Sequence, residues 1–364
     1  MSIMKVALVG YRLNKGGAEK VMATLSNYFY QNGINVHLII VLDDIKYPHS
    51  GTVVNLGKLK NKTNGIFNKF KRLLYLSKYL KAEKFDFIID IRFRVKPLQE
   101  LFISKWLYNA KTIYTIHSSK THIYLPKFKP LAKLIYGNCF RIISISKAME
   151  NMIRDKHNLN NVTTIYNPID IEYIRDKAKE EIDLDFEYII SAGHFNTDQK
   201  QFDKLIYAYS RSILPKKNIA LVILGDGKDK DYLIDVATSN GVIDFVHFLG
   251  FKNNPYKYFS KAKYFAMSSL HEGMPMVLIE ALACGTPLVS FDCPTGPNEI
   301  IKNRENGILV ENQNIEDFID SLNLFISDSD LYVRCKEETL SSVNKFSVNE
   351  VGKQWFELMN FIKN

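Results

Sequence analysis

Apolar residues recur along this chain in two rhythms. Mainly apolar runs at 4–10, 35–42, 52–56, 86–91, 111–116, 140–145 and 163–166 predict one series of buried strands, and runs at 188–192, 219–224, 245–249 and 263–267 predict a second. Between them the spacing changes to that of helices. Ala18, Val21, Met22, Leu25 and Phe29 form one stripe, and Ile66, Phe67, Phe70, Leu73, Leu74 and Leu80 form another over about 66–83. Further helices are predicted from Ser146 and at 230–240, 315–327 and 330–342; a last amphipathic one at 346–362 carries Val348, Val351, Trp355, Leu358 and Phe361. Strand and helix alternate, which predicts an α/β architecture of parallel sheets. At 364 residues the chain exceeds one ordinary core and fits two domains.

The most informative stretch is 272–291, which reads as loop, helix, turn and buried strand. Gly273 frees the backbone, Pro275 suits the first helical position because its missing N–H has no partner there, and Gly285 suits the left-handed position past the end. The helix is thus predicted at about 275–284. Every residue from Met276 to Cys284 is apolar except Glu280, so a carboxylate sits among hydrophobes and requires a polar partner reaching over the helix. The helix start offers unpaired N–H groups and the positive end of a dipole, which suit an anionic oxygen such as a phosphate. A phosphate at one end and hydroxyls at the other describe a nucleotide.

Seven residues separate Glu272 from Glu280 within this unit, and the string 268–297 resembles the E-x7-E signature of retaining glycosyltransferases of family 4, which have the GT-B fold. The resemblance implies two Rossmann-like domains whose parallel sheets face a central cleft, with a C-terminal helix returning to the first domain. It also implies that Glu280 binds the ribose of a sugar nucleotide, that Glu272 lies by the donor sugar, and that the loop of Gly273, Met274 and Pro275 holds the diphosphate. Lys200, in the loop after strand 188–192, matches the lysine that pairs with that diphosphate. His194 stands where the family usually has arginine, a real departure, since an imidazole is mostly neutral near pH 7 and forms no bidentate phosphate contact. Phe251 would lie beside the base. Asp292-Cys293-Pro294-Thr295-Gly296-Pro297 is similar to segments of enzymes that use UDP-hexoses or UDP-N-acetylhexosamines, which favours UDP over GDP.

The first domain is less explicit. The strand at 4–10, the turn Asn14-Lys15-Gly16-Gly17 and the following helix open a Rossmann-like unit, but Gly16 and Gly17 do not make G-x-G-x-x-G. They are either a plain turn or, by the resemblance, a loop on the cleft near the diphosphate. Ligands of parallel sheets gather beyond the carboxyl ends of strands, which makes Arg92 and Arg94 acceptor-side candidates and places His117 where a substrate would be. By the resemblance His117 faces the donor sugar. The predicted organisation is 1–168 for the acceptor-binding domain, 169–186 for a linker, 187–345 for the nucleotide-sugar domain and 346–364 for the returning helix.

Charge adds one feature. The net charge is +9, and between Lys58 and Lys84 nine basic residues face one acidic residue, Glu83. With the apolar stripe at 66–83 this is a basic amphipathic helix, suited either to an anionic membrane surface or to packing on the sheet with a solvated face; Lys120, Lys127, Lys129 and Lys133 around Phe128, Leu131 and Leu134 repeat the mixture and favour the membrane. No nucleic-acid motif is present. Cys139, Cys284, Cys293 and Cys335 show no metal-ligand spacing, and no run of eighteen apolar residues occurs, so the expected location is the cytoplasm, peripheral on the inner face of a bacterial plasma membrane. Asp183-Leu184-Asp185 and Asp229-Lys230-Asp231 read as solvated turns, and neither an essential metal nor a cofactor is expected. The function read from the sequence is transfer of a hexose or N-acetylhexosamine from a UDP-sugar to a glycan or lipid-linked acceptor in lipopolysaccharide, capsule or related synthesis. A sugar-nucleotide epimerase or hydrolase, and a non-catalytic surface-binding protein of the same fold, are the rival readings.

Overall fold

A computed structural model describes residues 3–362 except Lys15, Asn64 and residues 196–198. Part of the loop read as diphosphate-binding, 196–198, and one residue of the glycine turn therefore lie outside the described residues. The chain divides into two compact units, Met1–Ile169 with Val348–Asn364, and Asp170–Ser347.

The first unit is built on seven strands: β1 (Lys5–Gly10), β2 (Asn35–Ile40), β3 (Thr52–Asn55), β4 (Phe87–Asp90), β5 (Lys111–Ile116), β6 (Arg141–Ser144) and β7 (Val162–Thr164). They pair in parallel in the order β3-β2-β1-β4-β5-β6-β7, so the direction of winding reverses between β1 and β4. Their runs are apolar on both faces because helices cover both. On one face lies α1 (Gly17–Gln31), and the C-terminal helix Val348–Met359 packs beside it, with Phe29 edge-on to Trp355 at 6.2 Å and Tyr28 against Phe356 at 5.2 Å. Gly352 makes that approach possible, since a Cβ there would fall 2.0 Å from the Tyr28 ring.

The other face carries α2 (Ile66–Glu83) and α3 (Pro97–Phe102), which continues as a π-helical turn, Ile103–Leu107. The apolar stripe of α2 is split. Leu76 and Leu80 are buried in the core with Ala7, Ile88 and Ile103, whereas Ile66, Phe67, Phe70 and Leu74 in its first half are exposed. The second half of the basic helix thus packs on the sheet, and its first half leaves apolar and basic side chains outside.

The second unit holds β8 (Tyr188–Ala192), β9 (Ala220–Leu224), β10 (Val246–Gly250), β11 (Phe265–Met267), β12 (Leu288–Phe291) and β13 (Gly307–Val310), all parallel, in the order β10-β9-β8-β11-β12-β13. Winding reverses between β8 and β11. The segment expected to be a linker, 169–186, instead begins with a helix of this unit, Ile171–Ala178, capped by Asp170 and packed on helix Tyr256–Lys261, where the Ser260 hydroxyl donates to the Ala178 carbonyl at 2.9 Å. Its only buried residue is Ile174, too weak a stripe to stand out among the charges around it.

Candidate functional site

At the carboxyl ends of β8 and β11 several loops are pressed together without room for side chains. Gly225 has a φ of +140°, and a Cβ there would lie 1.8 Å from the Gly193 carbonyl oxygen. Gly193 in turn must lack a side chain because the Lys200 stem runs over it, with Cε 3.0 Å from where a Cβ would be. The backbone under Lys200 is fixed from β11: the Ser268 hydroxyl donates to the carbonyls of Lys200 and Gln201 at 2.9 and 2.8 Å, and the Leu270 amide donates to that of Gln199 at 2.8 Å. Lys200 Nζ reaches Glu272 Oε1 at 2.7 Å, and Gln199 donates to the other oxygen at 3.4 Å. Glu272 is buried at 8 % exposure, so this lysine supplies a counter-charge that the carboxylate requires.

The loop after Glu272 is clamped as well. Thr295 donates its hydroxyl to the Glu272 carbonyl, and Gly296, at a φ of +102°, lies so close that a Cβ would stand 2.5 Å from Pro275 Cδ and 3.2 Å from the Gly273 carbonyl oxygen. The helix that follows runs Met276–Ala283, with Pro275 as the preceding cap residue and Gly285 at a φ of +81° past its end. Glu280 is 8 % exposed. The partner its burial demanded is Tyr256, whose hydroxyl donates to Oε1 at 3.3 Å. Lys200, Glu272, Gly273, Met274, Pro275 and Glu280 therefore form one neighbourhood in which a cation, a rigid loop, a helix start and two carboxylates converge.

Comparison with known proteins decides what this neighbourhood belongs to. Residues 172–341 match the family described as glycosyl transferases group 1, and residues 15–173 match Glycosyltransferase Family 4. The chain is 30% identical over 362 residues to the N-acetylgalactosamine-N,N'-diacetylbacillosaminyl-diphospho-undecaprenol 4-alpha-N-acetylgalactosaminyltransferase of Campylobacter jejuni, covering 96% of this chain and 98% of that one. The chain is a family 4 glycosyltransferase. This glycosyltransferase is also 25% identical over 367 residues to the lipopolysaccharide 1,6-galactosyltransferase of Escherichia coli, covering 94% of each chain. Its fold is GT-B, and it superposes on Anabaena HepE, solved in complex with UDP, at a TM-score of 0.78 with 17% identity, covering 99% of this chain and 100% of that one.

The remaining candidates of the glycosyltransferase lie in varied settings. His194 is exposed, directly after Gly193, and Phe251 is 70 % exposed after Gly250, whose φ is +74°. Gly16, at a φ of +111°, precedes the first turn of α1, where Glu19 folds back so that a Cβ on Gly16 would lie 2.5 Å from its Oε2. That helix start is faced by the chain's own carboxylate. Gly17 is an exposed first residue of α1 with open space around it.

His117 follows β5 with Nε2 2.8 Å from the Thr115 hydroxyl and Nδ1 buried without a hydrogen-bond partner. Burial, reinforced by the charge of Arg94 and opposed by the Asn167 side chain, lowers its pKa to about 3, so the ring is neutral at pH 7.

Arg92 and Arg94 require a correction. They do not present themselves to an acceptor but are buried at 6 and 1 % exposure. Arg92 donates to Asp90 at 2.6 Å and to Glu100 at 3.0 Å; Arg94 donates to the carbonyls of Asp90, Arg92 and Thr115 and lies over the rings of Tyr114, Tyr124 and Tyr136. Burial acts to raise the pKa of Asp90, but the charges of Arg92 and Arg94 prevail and hold it below the usual carboxylate range. These arginines hold the strand ends together.

Tyr256 was not singled out in the sequence, and Thr295 and Asp292 were named there only within a segment similar to those of UDP-sugar enzymes. Tyr256 and Thr295 are ordinary polar residues far from their partners in the chain. Asp292, at the end of β12, has a buried Oδ1 without a partner and a pKa raised by burial against the opposing Asn298 side chain. Cys293 beside it is no nucleophile, because burial and the nearby Glu272 push its thiol up to about 12. Among the described residues no group of three or more His, Cys, Asp and Glu side chains is placed to hold a metal, and no helix is long and apolar enough to cross a membrane.

Proposed function

We propose that this glycosyltransferase is a retaining enzyme that moves a hexose or N-acetylhexosamine from a UDP-sugar to a lipid-diphosphate-linked glycan in cell-surface polysaccharide synthesis. The observation that carries the reading is the Lys200–Glu272 pair beside the clamped loop 273–275, with Glu280 in the helix that follows that loop. The lipid-linked acceptor is taken from the names of relatives such as the Campylobacter jejuni transferase.

In this reading the ribose hydroxyls bind Glu280, the loop amides meet the diphosphate, and Lys200 leaves Glu272 for the diphosphate when the donor arrives. Glu272, thereby freed, accepts hydrogen bonds from the sugar hydroxyls. His117, neutral, meets the sugar without a charge, in the role the family resemblance implies for it. The bond from the anomeric carbon to the β-phosphate oxygen breaks, and a bond to the acceptor oxygen forms on the same face. The acceptor proton passes to the departing phosphate. Catalysis is then positioning plus stabilisation of the leaving charge, and neither metal nor cofactor is required. The exposed basic and apolar half of α2 holds the enzyme on the anionic inner face of the membrane.

The test is transfer from radiolabelled UDP-hexoses and UDP-N-acetylhexosamines to lipid-linked acceptors, with and without a metal chelator, and with the product's anomeric configuration read by NMR. An α-linked product from an α-linked donor, formed equally in chelator, is expected. Thermal stabilisation by UDP but not GDP, lost in Glu280→Ala, is expected beside it. A β-linked product would overturn retention; donor turnover without any transfer would favour the hydrolase reading.

A further inference from the structure

The core between the first sheet and the α2–α3 layer is not filled to its end. Val9, Ile39, Leu56, Leu76, Ile103 and Leu107 are each no more than 8 % exposed, yet they line a cavity of about 540 Å³ that opens beyond the ends of β1 and β2. That volume is within the roughly 300–1,000 Å³ of small-molecule sites. Its walls are mainly hydrocarbon, and the Arg92 at its floor is already committed to Asp90 and Glu100. A sugar placed there would lose its hydration for few polar partners; a hydrocarbon chain would lose nothing.

The rim has a different chemistry. Lys69, Arg72 and Lys96 stand around the cavity and provide the charges that an anionic headgroup pairs with. On the α2 side Ile66 and Phe67 are 82 and 92 % exposed, and on the other side Leu98 and Trp106 are 79 and 67 % exposed. An amphipathic helix serving only the sheet would turn such residues inward, and exposed apolar patches of this kind mark interaction sites. The π-helical turn at 103–107 that shapes one wall is a rare geometry found often at functional sites.

We propose that this cavity takes the first isoprene units of an isoprenoid diphosphate acceptor, with the diphosphate against Lys69, Arg72 and Lys96 and the exposed apolar rim in the membrane interface. The inference rests on the lipid-linked acceptor reading and adds where the lipid is held. A flat bilayer contact would need the rim alone. The cavity supplies what that contact leaves unexplained, a half-open apolar volume bordered by cations.

Trp106, in the π-helical turn whose Ile103 and Leu107 line the cavity, gives a direct readout, independent of sugar transfer. Titration of the purified protein with a fifteen-carbon isoprenoid diphosphate is expected to quench its fluorescence saturably, with at least tenfold weaker binding of the corresponding alcohol and of inorganic diphosphate. Trp106→Phe should remove the signal. The double variant Val41→Phe/Leu73→Phe, which narrows the cavity, should weaken binding tenfold or more while UDP still raises its melting temperature. In transfer assays, acceptors with the same glycan and diphosphate but an isoprenoid or a short water-soluble tail should differ at least tenfold in KM, and the double variant should lose that difference. Equal KM for the two tails, or equal binding of phospholipid vesicles with no preference for the isoprenoid diphosphate, would overturn the inference. Failure of every lipid-linked acceptor alongside intact isoprenoid binding would instead sink the proposed function and leave the cavity's ligand standing.

Discussion

Two charge clusters lie at the carboxyl ends of parallel strands in this glycosyltransferase, and they are built to opposite purposes. In the first unit Arg92 is enclosed by Asp90, Glu100 and the Tyr108 hydroxyl, all tied to it, with Tyr108 also donating to Asp90. In the second unit Lys200 makes a 2.7 Å contact with one carboxylate, at 18 % side-chain exposure, on a backbone pinned from beneath. An ammonium has three donors on a flexible stem, whereas a guanidinium inside a carboxylate cage has its geometry already assigned. Position at a strand end is therefore insufficient to make a ligand site. What distinguishes the two clusters is whether a partner can be exchanged without leaving a buried charge alone.

Removing Arg92 tests the closed cluster and should have the largest effect. Arg92→Ala leaves Asp90 and Glu100 buried without that guanidinium, which is expected to cost about 3–5 kcal/mol of stability. Urea unfolding would measure it. A variant as stable as the parent but with a raised acceptor KM would reverse the distinction and return Arg92 to the acceptor side.

Lys200→Ala tests the open one. On the proposed role of Lys200 at the leaving diphosphate, its loss should lower kcat by roughly 10²–10³ at saturating donor. The fold should survive with a smaller loss than in Arg92→Ala, since a single buried carboxylate is left without its cation and Gln199 still donates to Glu272. Steady-state kinetics with a melting curve separates the two effects: a fall in melting temperature that accounts for the whole activity loss would make this pair structural too.

The contrast also marks what the sequence could and could not convey. Helix Met276–Ala283 was legible because its signals are local: a glycine past the end, a proline at the start and one carboxylate in an apolar run. That Glu280 needs a partner was equally legible, but Tyr256, twenty-four residues earlier, was not, because only the tertiary packing of two helices brings them together. Arg92 was misread although a signal existed. Asp90 and Arg92 are two residues apart at a strand end, the spacing that puts side chains on one face, and so an internal pair was available to the eye. The π-helical turn and the cavity beside it had no signal, since an unfilled volume depends on how far α2 stands from the sheet. The split stripe of α2 was invisible for the same reason: periodicity reports which residues share a face, not how much of that face is covered.

A smaller effect concerns pH. Burial lowers the pKa of His117 to about 3 from an ordinary 6.5, so between those values the folded chain binds fewer protons at this site than the unfolded chain. The stability from its neutral form is complete above about 6.5 and is lost progressively as pH falls toward 3. Burial also lowers His37 and His157, which contribute in the same direction. His117→Asn should therefore reduce, without abolishing, the loss of unfolding free energy between pH 7 and 5, by a slope approaching one proton. An unchanged pH dependence would mean that His117 is open to water and titrates as it does in the unfolded chain.

The smallest expected change sharpens the comparison from the ligand's side. His194 is exposed immediately after Gly193, on whose backbone the Lys200 stem rests, so whatever stands at 194 shares the approach to Lys200. An imidazole cannot present two parallel N–H groups to a phosphate, and a guanidinium can. His194→Arg should tighten UDP binding about tenfold, the worth of one added charge-assisted hydrogen bond at roughly 1.5 kcal/mol. Calorimetry reads this directly, and the same substitution in the Lys200→Ala background should recover part of the lost donor affinity. Weaker binding in both backgrounds would mean that the imidazole makes a contact of its own which an arginine displaces. The open cluster would then consist of Lys200 and His194 together, exchanging Glu272 for the diphosphate as a pair.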